Sequence, residues 1–145
     1  AQMGTSNMAQ LAGWVGKDAR AVAPVQFDGQ PITVIPDIAD DATAAQLVIS
    51  DSAGQELQRL DVGISGTPVQ WAGVTTDGQP FPQGKYSFAT VNYAGEEQVS
   101  LVQAATYQKV TEVRSVNGVA SLILESGAEV LATDVTALRN PDSEQ

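Results

Sequence analysis

The stretch from Trp71 to Phe88 restricts the choice of fold more than any other part of the chain. It runs Trp71-Ala72-Gly73, then Asp77-Gly78-Gln79-Pro80-Phe81-Pro82, then Gly84-Lys85-Tyr86-Ser87-Phe88. Its parts are an aromatic anchor, an Asp-Gly turn that tolerates positive φ, prolines that stiffen the return, and an alternating segment with two aromatics. Together they predict the corner of a β-sandwich. None of them has the make-up of a reaction centre.

The rest of the chain agrees with a β fold. Val, Ile and Thr occur in short runs separated by Gly, Asp and Asn, and 13 Gly and 7 Pro in 145 residues supply the turns. No apolar run approaches the ~20 residues of a membrane-spanning helix, so membrane insertion is not expected. The formal net charge is −10 and the seven Lys and Arg are scattered singly, which disfavours nucleic acid as a partner because phosphate binding needs clustered cations. Cysteine and histidine are both absent. Disulfides, the usual zinc sites and His-based nucleophilic triads therefore cannot be built from this chain.

In chain order, Ala1 to Ser6 is neither a cationic leader nor an apolar signal core, and the chain reads as a fragment whose own N-terminus is missing. Ser6 or Asn7 is placed to cap a short helix with Met8, Leu11, Ala12 and Val15 on one side. A strand is expected over residues 17–22 and another over 25–27, with a boundary at Asp28-Gly29. Residues 30–104 then give six or seven short strands with turns between them, the pattern of an immunoglobulin-like or fibronectin-type sandwich. In the segment 55–62, alternation sets Leu57 apart from Glu56 and Gln58. The tail offers a hairpin at Asn117-Gly118, a turn at Ser126-Gly127, and a closing helical turn over 135–138 capped by Asp134. Neither end carries enough strands to bury an apolar face. The expected remedy is that the two ends pair as a small barrel of about five strands, into which the sandwich is inserted. The organisation predicted is a helical remnant over 1–13, a discontinuous barrel over 14–29 and 105–139, a sandwich over 30–104 and a disordered tail over 140–145.

The run Trp71-x-Gly73, Asp77-Gly78, Pro82-x-Gly84-x-Tyr86-x-Phe88 resembles the signature of the flagellar hook-capping family, FlgD-like proteins also called hook assembly or basal-body rod modification proteins. Ala12-Gly13-Trp14-Val15-Gly16-Lys17 resembles that family's lead into its first barrel strand, and Gly127 with Asp134-Val135-x-x-Leu138 resembles its closing segment. Ala72 departs from the acidic or polar residue that commonly follows the tryptophan, so no side-chain hydrogen bond is expected there. The resemblance implies an all-β protein: a Tudor-like barrel made from both chain ends, an immunoglobulin-like insert and a short N-terminal helix. It also implies export through the flagellar secretion apparatus and a ring-like homo-oligomer at the distal tip of the growing hook that promotes polymerisation of hook subunits. No catalytic residue, cofactor or metal is implied.

Several of these residue types also occur in other chemistries. Asp51, Asp61, Asp77, Glu96 and Glu97 could supply the carboxylate pair of a glycosidase, but all except Asp61 lie in predicted turns, where acids serve solvation and local hydrogen bonding. The loop from Thr75 to Gly78 lacks the alternating carboxylates and distant Glu of a calcium loop. Trp71, Tyr86 and Phe88 could stack a sugar in a secreted binding module, although aromatics at a sandwich corner more commonly form core. Lys17 and Arg20, three apart on one expected strand, point to opposite faces and form no cationic patch. Surfaces, namely loop ends and strand edges, are expected to carry the function.

Overall fold

The structure, a computed structural model, describes residues 9–141. Short strands dominate because β-branched runs are repeatedly cut by turn residues before they reach helical length. In order they are β1 (Asp18–Ala21), β2 (Val25–Phe27), β3 (Ile32–Ile35), β4 (Ala44–Asp51), β5 (Glu56–Val62), β6 (Val69–Trp71), β7 (Gly84–Ala94), β8 (Glu97–Gln103), β9 (Ala105–Val116), β10 (Val119–Leu124), β11 (Glu129–Leu131) and β12 (Ala137–Arg139). The chain divides into two compact units, one comprising Ala1–Ala23 with Tyr107–Gln145, the other Pro24–Thr106.

The first unit is a curled sheet in the order β11-β10-β9-β1-β12. Its core is Ala19, Val110, Leu122 and Leu124, flanked by Trp14, Val113, Val130, Val135 and Leu138. The β9-β10 hairpin turns where the sequence predicts. Asn117 and Gly118 both have positive φ (55° and 81°), the requirement of the primed turn whose twist matches its strands. The expected apolar side of the N-terminal helix is only partly observed. Residues 9–11 are helical and Ala12–Trp14 forms a 3-10 turn. Leu11 is buried, whereas Val15 is exposed and Trp14 packs against the core instead. Ser6, Asn7 and Met8 lie outside the described residues.

The closing helical turn is a correction. Ala132–Asp134 is the 3-10 turn, without a side-chain cap, and Ala137–Arg139 is a strand pairing with β1. The pairing sets Leu138 beside Ala19, adds an ion pair between Asp18 and Arg139 (3.5 Å), and brings the Arg139 guanidinium to 4.0 Å from the Tyr107 ring centroid. These tertiary gains exceed the small propensity for one isolated helical turn.

The second unit is a two-layer sandwich. One layer has the order β2-β7-β4-β5, with β8 alongside the far part of β7; the other joins β3 to β6 and to the first two residues of β9. The layers enclose Val25, Phe27, Ile32, Val34, Leu47, Ile49, Trp71, Tyr86, Phe88 and Ala104. Val25–Phe27, assigned to the barrel from sequence, pairs with Gly84–Tyr86 and belongs to this unit. The reason is burial: Phe27 is 2% exposed and its ring lies 5.2 Å from that of Trp71. The loop after β3 is fastened by Asn92, fully buried, whose amide donates to the Asp37 carbonyl and the Ser100 hydroxyl and whose oxygen accepts from the Ala39 N–H.

Candidate functional site

The motif residues converge in the second unit as an aromatic core. Trp71, at the end of β6, has ring centroids of Phe27, Phe81, Tyr86 and Phe88 at 5.2, 5.3, 5.5 and 5.3 Å. Such tilted and edge-on pairs add roughly 0.5–1.5 kcal/mol each beyond area burial. The Trp71 indole N–H donates to the Gln58 side-chain oxygen (2.9 Å), and the Gln58 amide donates onward to the Val74 carbonyl (3.0 Å). Trp71 is 2% exposed with its one donor occupied, so it offers no face to a sugar ring. Trp71, Tyr86 and Phe88 are all buried, so they form core, the commoner role of aromatics at a sandwich corner, and the sugar-stacking alternative fails.

Gly73 has φ +77°, and its Cα faces the Phe27 ring so closely that a Cβ would stand 2.1 Å from the ring tip. From there the chain makes a short ribbon: Val74 bridges Pro80, the Gly78 N–H donates to the Thr75 carbonyl, and the Gln79 N–H donates to the Thr75 hydroxyl. Asp77 and Gly78 sit exposed at its tip. The Phe81 N–H returns to the Gly73 carbonyl at 2.8 Å, and the Tyr86 hydroxyl donates to the Pro82 carbonyl at 2.6 Å. Gly84 starts β7 opposite Phe27. These residues therefore specify a fold corner, as the sequence suggests.

Burial raises the Tyr86 phenol above its ordinary value, and the Asp51 carboxylate beside it adds to the rise. Unfolded Tyr86 ionises near pH ~10 while the folded side chain stays protonated. Its stabilising contribution is thus complete below that pH and is lost as pH climbs through the folded value. Tyr86→Phe is expected to cost about 1 kcal/mol at neutral pH, because the Pro82 carbonyl loses its donor. The same variant should lose a smaller share of its stability between pH 7 and about pH 10.5 than the parent does. Urea unfolding at both pH values checks this; equal alkaline losses in the two proteins would remove Tyr86 as the cause.

The acids do not assemble into a catalytic pair. Asp51 accepts from the Ala53 and Gln55 N–H groups, holding the β4-β5 turn, and Asp61 accepts from the Gln46 amide. Asp77, Glu96 and Glu97 are exposed in turns or at a strand start. A shallow groove of about 300 Å³ on this unit is lined by Ser50, Asp51, Ser52, Ser87 and Gln103, with that single acid already bonded by two backbone amides. Glu56 is drawn below the usual carboxylate range by hydrogen bonds from Arg59 on the same strand. Among the described residues no group of three or more acids is placed to hold a metal.

In the first unit, Gly16 and Lys17 clasp Val110: the Gly16 N–H donates to its carbonyl and its N–H donates to the Lys17 carbonyl, both at 2.8 Å. The Lys17 amine reaches Asn140 and the Arg20 guanidinium reaches Thr136, both 2.8 Å. Lys17 precedes β1 rather than lying in it, and the two cations have separate partners.

Residues 21–96 match the profile described as the FlgD Ig-like domain. The chain belongs to the FlgD family. Its fold is that of FlgD from Xanthomonas campestris, 18% identical with a TM-score of 0.72 over 92% of this chain and 99% of that one. It is likewise that of FlgD from P. aeruginosa, 16% identical with a TM-score of 0.70 over 87% of this chain and 98% of that one. A search of curated proteins returned no match. At such identity the shared feature is the fold, and one residue that supports this chain's aromatic core, Gln58, is not singled out by the sequence. Alternation alone gives Gln58 no role beyond standing apart from Leu57, yet Leu60 and Val62 are in phase with it and pack on the core. That phase was the available signal.

Proposed function

We propose that this chain is a non-enzymatic scaffold of the flagellar hook cap, acting at the distal end of the growing hook where hook subunits are added. The observation carrying this reading is the match of residues 21–96 to the FlgD Ig-like domain. The FlgD of Xanthomonas campestris, similar in fold, is described in connection with hook capping essential for flagellar assembly. Export through the flagellar apparatus, a ring of like subunits and contact with hook protein complete the proposal. Polar side chains used to hold turns, as Asp51 is, fit a scaffold better than a hydrolase. The alternative, a secreted immunoglobulin-like binding module of an adhesin or carbohydrate-associated protein, draws no support from Trp71, which is buried.

Deleting the gene is expected to give cells that still secrete hook protein into the medium yet build no hooks, with recovery on complementation. Hooks of normal number and length in the deletion strain would reject the role.

A further inference from the structure

The geometry points to the outer edge of β8 as a docking site for an extended, cationic peptide segment of a partner, which would add to the sandwich as one more strand. The observations are independent of the role at the hook. Among the described residues β8 pairs only with β7, and the Ala104 N–H donates to the Phe88 carbonyl. In an antiparallel ladder bonded pairs alternate, so 90/102 and 92/100 are the bonded pairs of this register. The N–H and C=O groups of Leu101 and Gln103 therefore point away from β7, toward solvent. A strand laid there would satisfy them.

The side chains fit such an occupant. Phe88 and Ala104 face the core, so Leu101 and Gln103 project to the outside of the layer, and Leu101 is 55% exposed with Val99 at 40%. The opposite edge, β5, is blunted by Glu56, Arg59 and Asp61, whereas β8 carries one charge, Glu97 at its start. An apolar residue of the added strand beside Leu101 makes the cross-strand pair that stabilises a sheet.

Charge selects the class of partner. Residues 24–106 hold most of the chain's carboxylates and only two cations, Arg59 and Lys85. Glu96 and Glu97 lie exposed at the head of β8. A second copy pairing edge to edge would bring two strongly acidic units together, which repels; a segment with Lys or Arg at one end is attracted instead.

The test uses the full chain and a capped synthetic peptide, Val-Thr-Val-Thr-Val-Lys-Lys, followed by NMR titration and amide hydrogen exchange. The expected result is that the largest shifts fall on β8, with exchange at Leu101 and Gln103 slowed about tenfold or more at saturating peptide. Leu101→Ser, an exposed position, should keep the fold and weaken binding about fivefold through lost apolar contact. Replacing the peptide's lysines with glutamates should weaken it further, and raised salt should weaken the lysine peptide. The proposal is overturned by absence of binding at millimolar peptide, by shifts centred on β5, by equal binding of the glutamate peptide, or by β8-mediated dimerisation of the chain alone.

Discussion

Replacing Trp71 with alanine is expected to remove about 3–5 kcal/mol of stability. The indole fills the middle of the sandwich, four aromatic rings stand within 5.5 Å of it by centroid, and no solvent reaches the space it would leave. The loss also strands the Gln58 oxygen, which accepts from the indole N–H. Set against a typical ~5–15 kcal/mol for a whole domain, this is enough to populate unfolded chain at growth temperature. Trp71→Phe keeps most of the volume and loses the Gln58 bond, so it should fall between parent and alanine variant. Urea unfolding followed by far-UV circular dichroism measures all three. An alanine variant within 1 kcal/mol of the parent would contradict the packing described, since a filled aromatic core cannot collapse that cheaply.

The second large effect is expected at Gly73, where the smallest possible addition is costly. An alanine there meets two penalties at once: a positive φ disfavoured by roughly 1–2 kcal/mol for residues with a Cβ, and a methyl group driven into the Phe27 ring. Together they should cost about 3 kcal/mol. The two parts can be separated. In a Phe27→Leu background the ring is gone, so the additional cost of Gly73→Ala should shrink to the backbone share alone, a coupling read from a double-mutant cycle. Trp71 fluorescence, measured in a Trp14→Phe background so that one indole reports, follows the unfolding. Additive costs across the cycle would show that the ring and the glycine do not meet.

How much of this was legible beforehand depended on the range of the signal. Turns came through cleanly because they are written in two adjacent residues: Asn117-Gly118 closes its hairpin with both φ angles positive, as its composition demands. The Trp71 to Phe88 motif came through because its aromatics and its glycine must meet one another, and their spacing survives in the chain. The pairing of the two chain ends followed from what each lacked, enough strands to cover an apolar face and its edges.

What escaped was decided by neighbours distant in sequence. Alternation along 56–62 sets Leu57 apart from Gln58 and puts Gln58 in phase with Leu60 and Val62, but the indole that Gln58 accepts from comes from β6, and the bulge at Leu57, skipped between the pairs Ile49–Gln58 and Ser50–Glu56, is set by β4. Leu57 is left 38% exposed. Val25–Phe27, expected as a second barrel strand, is held instead by Gly84–Tyr86. The closing helical turn expected over 135–138 gives way to the strand Ala137–Arg139, for which β1 supplies the ladder and Asp18 and Tyr107 supply partners for Arg139.

The amino-acid order by itself determined that this chain is β-rich, where it turns, which aromatics must be buried, and, through the absence of His and Cys, which chemistries it lacks. Only the tertiary structure decided which strand sits beside which, that Gln58 meets Trp71, and that β8, among the described residues, pairs with β7 alone. The reason is physical: turn and strand preferences are properties of a few consecutive residues, whereas register and edge are chosen by the burial that distant segments offer, and a shift of one residue reverses every side chain on a strand.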